Sequence, residues 1–198
     1  PVLALSARFF SLISTDRAYV TGGSTHNELW AAPKELGHTV VAGAGGAGYE
    51  HVESCVLHNT MRLALKLLRA SGGALRFAEF LERALLNGVL GTQRGSEPGA
   101  MLYFMPLGAG VSKAAPQAWR HSGWSTPYGD WWCCMGTGVE AFARLPELIF
   151  FQSPFRNDSA VTTLAASSSN EQPAWAGAGI RAGIPADEVT AALPAKKR

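Results

Sequence analysis

Apolar and polar positions follow a helical period through the middle of the chain. Between residues 53 and 69 the apolar side chains recur three and four positions apart, which is the spacing of one helix face. Ser71-Gly72-Gly73 follows and is typical of a helix end. The same spacing predicts a second helix from about Ala74 to Val89, so the pair forms a helical hairpin. In the first helix the polar face consists of His58, Arg62, Lys66 and Arg69, and we expect this face to be solvated.

Shorter patterns on either side predict one more helix and a few short strands. Residues 1–14 form an apolar helix, and Met101–Met105 is an extended run ended by Pro106. Leu148–Phe151 is typical of a strand. The chain is therefore predicted to be mainly α-helical, with a few short strands.

A capping pattern follows the only adjacent pair of cysteines. Thr137 precedes Glu140 by three residues, which predicts that Thr137 caps a helix opening at Gly138. Pro146 is expected to end this helix near Leu145. The amides of a first helical turn favour negative charge, so a thiol beside them ionises more readily.

Two stretches have the composition of loops. Residues 42–48 are rich in glycine, but no convincing strand precedes them, so a flexible loop is favoured over a phosphate-binding turn. Residues 153–198 are rich in Ala, Ser, Gly and Pro and predict a weakly ordered, low-complexity tail. A short helix is expected within this tail at residues 187–193. Residues 1–152 then form the folded domain.

Composition narrows the class of partner more than it identifies one. The 198 residues carry a formal net charge of +2 and are 47% hydrophobic, which fits one globular domain. We expect no nucleic-acid partner, because no basic run is interleaved with aromatics. We expect no membrane span, because no apolar stretch is long enough. The chain begins at Pro1 with no signal segment, so its N-terminus was processed or it is part of a longer chain; compartment and oligomeric state stay open.

The three cysteines carry the candidate chemistry. They are too few for a disulfide framework, so they suit a metal or catalytic role, or else are buried free thiols. Cys55 lies two residues after Glu53, and both can face one ion only where the entry to the helix is irregular. Three thiolates and one carboxylate make a plausible tetrahedral zinc site. Its ligands would be Glu53, Cys55, Cys133 and Cys134.

Aromatic side chains surround the cysteine pair in the sequence. Trp119, Trp124, Tyr128, Trp131 and Trp132 occur among polar and glycine positions. Such residues either belong to the core or form a sugar-binding cleft, because sugar rings stack on aromatic planes.

Several sequence blocks together resemble glycoside hydrolase family 127, the family of the β-L-arabinofuranosidases. The blocks are TGGSTHNELW (21–30), ESCVLHNTMRLA (53–64), FLERALLNGVLGTQ (80–93), YFMPLGAG (103–110) and WCCMGTGVEAFARL (132–145). The resemblance implies an (α/α)6 barrel of helical hairpins followed by a β-sandwich. Residues 1–152 would then be the C-terminal part of the barrel, which is the family's catalytic domain, with the missing hairpins before residue 1. The tail after residue 152 does not have the pattern of β-sandwich strands.

The resemblance also implies roles for single residues. Glu28 matches the general acid/base, Cys133 the nucleophile, and Tyr103 a tyrosine that lines the sugar site. Glu53 and Cys55 match zinc ligands, together with Cys133 and Cys134. His26 and Trp132 are further candidates for substrate contacts.

These roles predict a zinc-dependent retaining glycoside hydrolase that acts on an arabinofuranoside-type carbohydrate. Two alternatives stay open. The chain could be a truncated, non-catalytic remnant with a structural zinc site that at most binds carbohydrate. It could also be a thiol hydrolase of peptides or esters, which would need a histidine within hydrogen-bond reach of Cys133.

Overall fold

The computed structural model describes residues 1–42, 51–108, 111–114, 123–152 and 161–163. Across these ranges the chain is mainly helical with a few short strands, which confirms the predicted class and is consistent with part of a helical barrel. Most of the glycine-rich loop, Trp119 and most of the predicted tail, including its helix, lie outside the described residues. Within the described ranges, no helix is both long and apolar enough to cross a membrane.

Six α-helices and four short strands make up most of the described chain. The helices are α1 (Val2–Asp16), α2 (Leu36–Ala42), α3 (Ser54–Ala70), α4 (Leu75–Ala84), α5 (Cys133–Ala143) and α6 (Leu145–Ile149). A π-helical turn (Leu85–Val89) and a 3-10 turn (Leu90–Thr92) continue α4. The strands are β1 (Val52–Glu53), β2 (Phe104–Met105), β3 (Phe150–Gln152) and β4 (Val161–Thr163).

Helices α3 and α4 form the predicted hairpin. Gly72 and Gly73 have φ values of +72° and +98°, which residues with a side chain rarely adopt, so these glycines permit the sharp turn. The N–H of Gly73 donates to the Leu68 carbonyl at 2.9 Å and closes the end of α3. The hairpin therefore ends where the Ser-Gly-Gly sequence predicts.

The hydrophobic core lies between this hairpin and α1. Phe10 of α1 packs edge to face on both Phe77 and Phe80 of α4, with ring centroids 5.1 and 5.0 Å apart. Leu57 and Met61 of α3 are buried in the same cluster. Burial of large side chains at about 25 cal/mol per Å² is the main force that holds α1, α3 and α4 together.

The helix that carries the cysteine pair begins earlier than predicted. Helix α5 starts at Cys133, directly after an extended residue, Trp132 (φ −75°, ψ 158°). The predicted start at Gly138 is therefore wrong. The Thr137 hydroxyl does not cap a helix, because it lies 3.1 Å from the sulfur of Cys55 instead.

The predicted solvent exposure of His58 is also wrong. Its side chain is only 3% exposed, because α5 packs across that face of α3. His58 Nε2 lies 3.7 Å from a carboxylate oxygen of Glu140 on α5. Burial lowers the pKa of His58, which favours the neutral imidazole.

The strand predicted at Leu148–Phe151 begins two residues later in the structure. Leu148 and Ile149 finish α6, and strand β3 begins at Phe150. Pro146 lies in the first turn of α6, where its missing N–H costs no helical hydrogen bond. Strand β3 pairs antiparallel with β4, so the stretch predicted as a weakly ordered tail contains at least one paired strand.

Candidate active site and metal centre

The four predicted ligands meet where β1, α3 and α5 come together. One donor atom from each lies within 4.8 Å of the donor atoms of the others; the residues are Glu53, Cys55, Cys133 and Cys134. Glu53 ends β1 with an extended backbone (φ −71°, ψ 125°), and α3 begins at the next residue. The irregular entry that lets Glu53 and Cys55 face one ion is therefore present. These four residues are called the cysteine–glutamate cluster below.

Strand pairing fixes the backbone of Glu53 at the start of α3. Glu53 lies opposite Phe104 in the antiparallel pair β1–β2. The N–H of Ser54 donates to the Tyr103 carbonyl at 3.1 Å. The N–H of Glu53 itself donates to Thr25 Oγ1 at 3.3 Å. Two distant parts of the sequence, at Thr25 and at Tyr103–Phe104, thus hold the start of α3 in place.

The three sulfur atoms differ in their access to solvent. Cys134 is 1% exposed, Cys55 is half-buried and Cys133 is exposed. Cys55 Sγ lies 3.2 Å from Cys134 Sγ and 3.1 Å from Thr137 Oγ1. Cys133 is therefore the sulfur that an external molecule reaches most easily.

These contacts favour one thiolate among the three cysteines. Hydrogen bonds, first from Cys134 and then from Thr137, lower the pKa of Cys55 to about 6. Burial, followed by the charge of Cys55, raises the pKa of Glu53 to about 7. The contact with Cys55 raises the pKa of Cys134, and burial raises the pKa of Cys133. Close anions repel one another, so all four groups ionise together only around a cation.

Glu28 lies in a strained two-residue turn. His26 and Leu29 exchange both backbone hydrogen bonds, at 2.9 and 3.0 Å. Between them Asn27 and Glu28 have φ values of +49° and +61°. Two left-handed residues define a type I′ turn, which suits Asn but costs a glutamate about 1 kcal/mol. Such strain is common at functional sites.

The hydroxyl of Tyr103 connects Glu28 to the cysteine–glutamate cluster. It donates to Glu28 Oε1 at 2.6 Å and accepts from Cys133 Sγ at 3.2 Å. Burial is the main cause of a pKa of Tyr103 above its usual range, so the phenol keeps its proton. The two contacts in series limit the distance from Glu28 Oε1 to Cys133 Sγ to at most 5.8 Å.

The other two predicted substrate contacts lie beside this arrangement. Trp132 packs edge to face on Tyr103, with ring centroids 5.8 Å apart. His26 is half-buried, with its ring centroid 5.5 Å from that of His51. Within the part of the chain that the structure describes, His26 Nδ1 has no hydrogen-bond partner. Trp132 therefore adjoins the cluster, whereas His26 belongs to the turn that holds Glu28.

A family-level comparison agrees with this geometry. Residues 2–147 match the sequence profile described as beta-L-arabinofuranosidase, GH127 catalytic domain. The chain belongs to this GH127 family. The match covers most of the chain and ends just beyond α5, so it includes the whole cysteine–glutamate cluster. No individually curated protein matches the chain.

Membership of the GH127 family makes the chain a glycoside hydrolase domain of the arabinofuranosidase type, with a carbohydrate as the class of substrate. The resemblance from the sequence blocks is thereby confirmed. The structure additionally shows Thr137 in contact with Cys55, which the sequence interpretation missed. A sequence signal for this contact existed: Cys133 and Thr137 are four residues apart, so a helix predicted to begin at Cys133 would have placed both residues on one face.

Proposed function

We propose that this GH127 domain hydrolyses β-L-arabinofuranosides with retention of configuration. Cys133 is the nucleophile and Glu28 the general acid/base. The observation that carries the proposal is the limit of 5.8 Å between Glu28 Oε1 and Cys133 Sγ, set by their shared contact with Tyr103. In retaining enzymes the two catalytic groups are about 5–5.5 Å apart, whereas inverting enzymes need about 6.5–9.5 Å to admit a water.

The cysteine–glutamate cluster fits a zinc ion. Tetrahedral zinc holds sulfur at about 2.3 Å and carboxylate oxygen at about 2.0–2.2 Å, which places neighbouring ligand atoms about 3.5–3.8 Å apart. The donor atoms already lie within 4.8 Å of one another, which is about 1 Å from this spacing. Three thiols also favour zinc over magnesium or calcium, which prefer oxygen ligands. When bound, zinc would keep the cluster's sulfurs ionised at neutral pH.

The first step joins the sugar to the protein. The Cys133 thiolate attacks the anomeric carbon, and the bond from that carbon to the leaving oxygen breaks. Glu28, in its acid form, gives its proton to that oxygen. A thioglycoside on Cys133 and a Glu28 carboxylate result.

The second step releases the sugar. The Glu28 carboxylate takes a proton from a water molecule, and the oxygen of that water attacks the anomeric carbon. The bond from carbon to sulfur breaks, and Cys133 leaves again as a thiolate. Two displacements at one carbon restore its configuration, which makes the enzyme retaining.

Tyr103 and Trp132 organise this reaction. The Tyr103 phenol keeps its proton and donates it in a hydrogen bond to Glu28, which holds the carboxyl group near the leaving oxygen. Trp132 packs on the Tyr103 ring and forms an apolar wall beside Cys133. His26 lies in the turn that holds Glu28 and is a candidate to contact a sugar hydroxyl; its Nδ1 is enclosed by the protein, so such a contact would use Nε2.

Replacement of the nucleophile tests the proposal. We expect Cys133→Ala to lower the rate of p-nitrophenyl β-L-arabinofuranoside hydrolysis by about 10³-fold or more, because the covalent route is lost. Val139→Ala in the same helix is the control and should keep its activity, because Val139 is 69% exposed and supplies no donor atom to the cluster. Full activity of Cys133→Ala would refute the nucleophile.

The two rival functions have distinct outcomes. Stoichiometric zinc without turnover of any arabinoside would favour the non-catalytic remnant. The thiol hydrolase needs a histidine base on Cys133. Among the described residues the sulfur of Cys133 contacts the Tyr103 hydroxyl, and no histidine hydrogen-bonds to it. We therefore favour the glycoside hydrolase.

A further inference from the structure

The hydroxyl of Thr137 has an unusual hydrogen-bond partner for a threonine inside a helix. Threonine inside a helix commonly bonds to the carbonyl four residues earlier. Thr60 in α3 does so, because its Oγ1 lies 2.8 Å from the Val56 carbonyl. Thr137 in α5 instead has its hydroxyl 3.1 Å from Cys55 Sγ, on a different helix. Its described hydrogen bond therefore goes to the cluster.

The same helix places Thr137 beneath the proposed ligands. Cys133 and Thr137 are four residues apart in α5, so they lie on one face and one turn apart. Cys55, in the first turn of α3, lies across from that face. Thr137 is half-buried, which limits competition from water for the hydrogen bond.

We propose that Thr137 is a positioning residue of the metal centre, whose hydroxyl donates a hydrogen bond to the ionised sulfur of Cys55. This inference rests on the proposed zinc centre and deepens it. The hydroxyl fixes the direction of the Cys55 sulfur and stabilises its negative charge. Such outer-shell contacts commonly change metal affinity by about 10–100-fold.

Thr137 differs from the other groups around the Cys55 sulfur because it is not a proposed ligand. Cys55 Sγ also lies 3.2 Å from Cys134 Sγ, but Cys134 belongs to the cysteine–glutamate cluster. The hydroxyl of Thr137 lies outside that ligand set and has a proton to donate, so it can hold Cys55 when the four ligands surround an ion.

Zinc affinity of the full chain, measured by competition with a chromophoric chelator, tests the inference. Thr137→Val keeps the shape of the side chain and removes the hydroxyl, whereas Thr137→Ser keeps the hydroxyl. Thr60→Val is the matched control, because it removes a helical threonine hydroxyl that bonds only to Val56 among the described contacts. We expect about 10-fold weaker zinc binding in Thr137→Val and affinity near the wild type in the other two.

Cobalt(II) in place of zinc gives a second, spectroscopic readout. A hydrogen bond lowers the energy of the sulfur lone pair, so its loss in Thr137→Val should move the sulfur-to-cobalt charge-transfer band to longer wavelength. Thr137→Ser should restore the band. If Thr137→Val binds zinc as the wild type does and its band does not move, the inference is overturned while the zinc centre stands. If the wild-type chain binds no zinc, the proposed centre itself fails, and this inference with it.

Discussion

The Tyr103 hydroxyl shows how much one buried atom can organise. It touches the candidate acid/base and the candidate nucleophile at once, at 2.6 Å from Glu28 Oε1 and 3.2 Å from Cys133 Sγ. Neither of those two groups is buried enough to be fixed by packing, since both side chains are exposed. Hydrogen bonds to the hydroxyl of a buried tyrosine therefore set the distance between them, and in the proposed mechanism that distance makes the reaction retaining.

Replacement of Glu53 should change the free energy of unfolding in opposite directions with and without zinc. Its pKa rises from 4.5 to about 7 on folding, so folding binds a proton between these values and metal-free stability falls as pH rises through this range. We expect Glu53→Gln to be more stable than the wild type by about 1 kcal/mol at pH 8 without metal, and no more stable at pH 4.5. With zinc the order should reverse, because a charged ligand is lost.

Urea unfolding at both pH values, with chelator and with zinc, measures this effect. Glu147→Gln is the control, because Arg144 lowers the pKa of Glu147 and its neutralisation should give no gain at pH 8. Zinc that stabilises Glu53→Gln as strongly as the wild type would remove Glu53 from the ligand set.

Among the local elements, the turn that holds the proposed acid/base Glu28 has a strained backbone. Glu28 adopts φ +61° in a type I′ turn, where Asn followed by Gly is the favoured pair. We expect Glu28→Gly to keep the free energy of unfolding or to raise it by up to about 1 kcal/mol, which thermal unfolding measures. The same variant should lose hydrolysis. Asn27→Gly, the control in the same turn, should keep its activity. A large loss of stability in Glu28→Gly would mean that Glu28 is a structural residue.

Helix α5 contains two glycines with opposite surroundings. A Cβ at Gly138 would lie 1.7 Å from Met101 Cε, whereas a Cβ at Gly136 would meet no atom within 4 Å. We expect Gly138→Ala to cost about 1–3 kcal/mol through overpacking, and Gly136→Ala to gain about 0.5–1 kcal/mol through helix propensity. Thermal unfolding of both variants measures the difference. Equal shifts would contradict the close packing of α5 on the chain at Met101.

At the scale of the whole molecule, the cysteine–glutamate cluster brings together residues that are far apart in the sequence. Cys55 and Cys134 are 79 residues apart in sequence, yet their sulfurs lie 3.2 Å apart. One ion bound there would tie β1 and α3 to α5, so metal binding and folding of this part of the chain would be coupled. Because the cluster joins residues so far apart in sequence, the identity of the proposed ligands was easier to predict than their geometry.

The sequence predicted what local patterns and composition encode. The α3–α4 hairpin follows from apolar spacing and from Gly72 and Gly73, and the ligand set followed from the scarcity of cysteine and the family resemblance. The errors came from tertiary contacts. His58 was expected to face solvent, because the local sequence does not show that α5 covers it. Thr137 was expected to cap a helix, because the local sequence does not show its contact with Cys55.

Trapping of the covalent intermediate tests the central claim most directly. In Glu28→Gln a substrate with a good leaving group, such as p-nitrophenyl β-L-arabinofuranoside, can still react with Cys133, but the base for the second step is missing. Mass spectrometry of the digested protein should then show one pentosyl unit on Cys133. A protein that carries no sugar after a burst of p-nitrophenol, or carries it on a residue other than Cys133, would contradict the account.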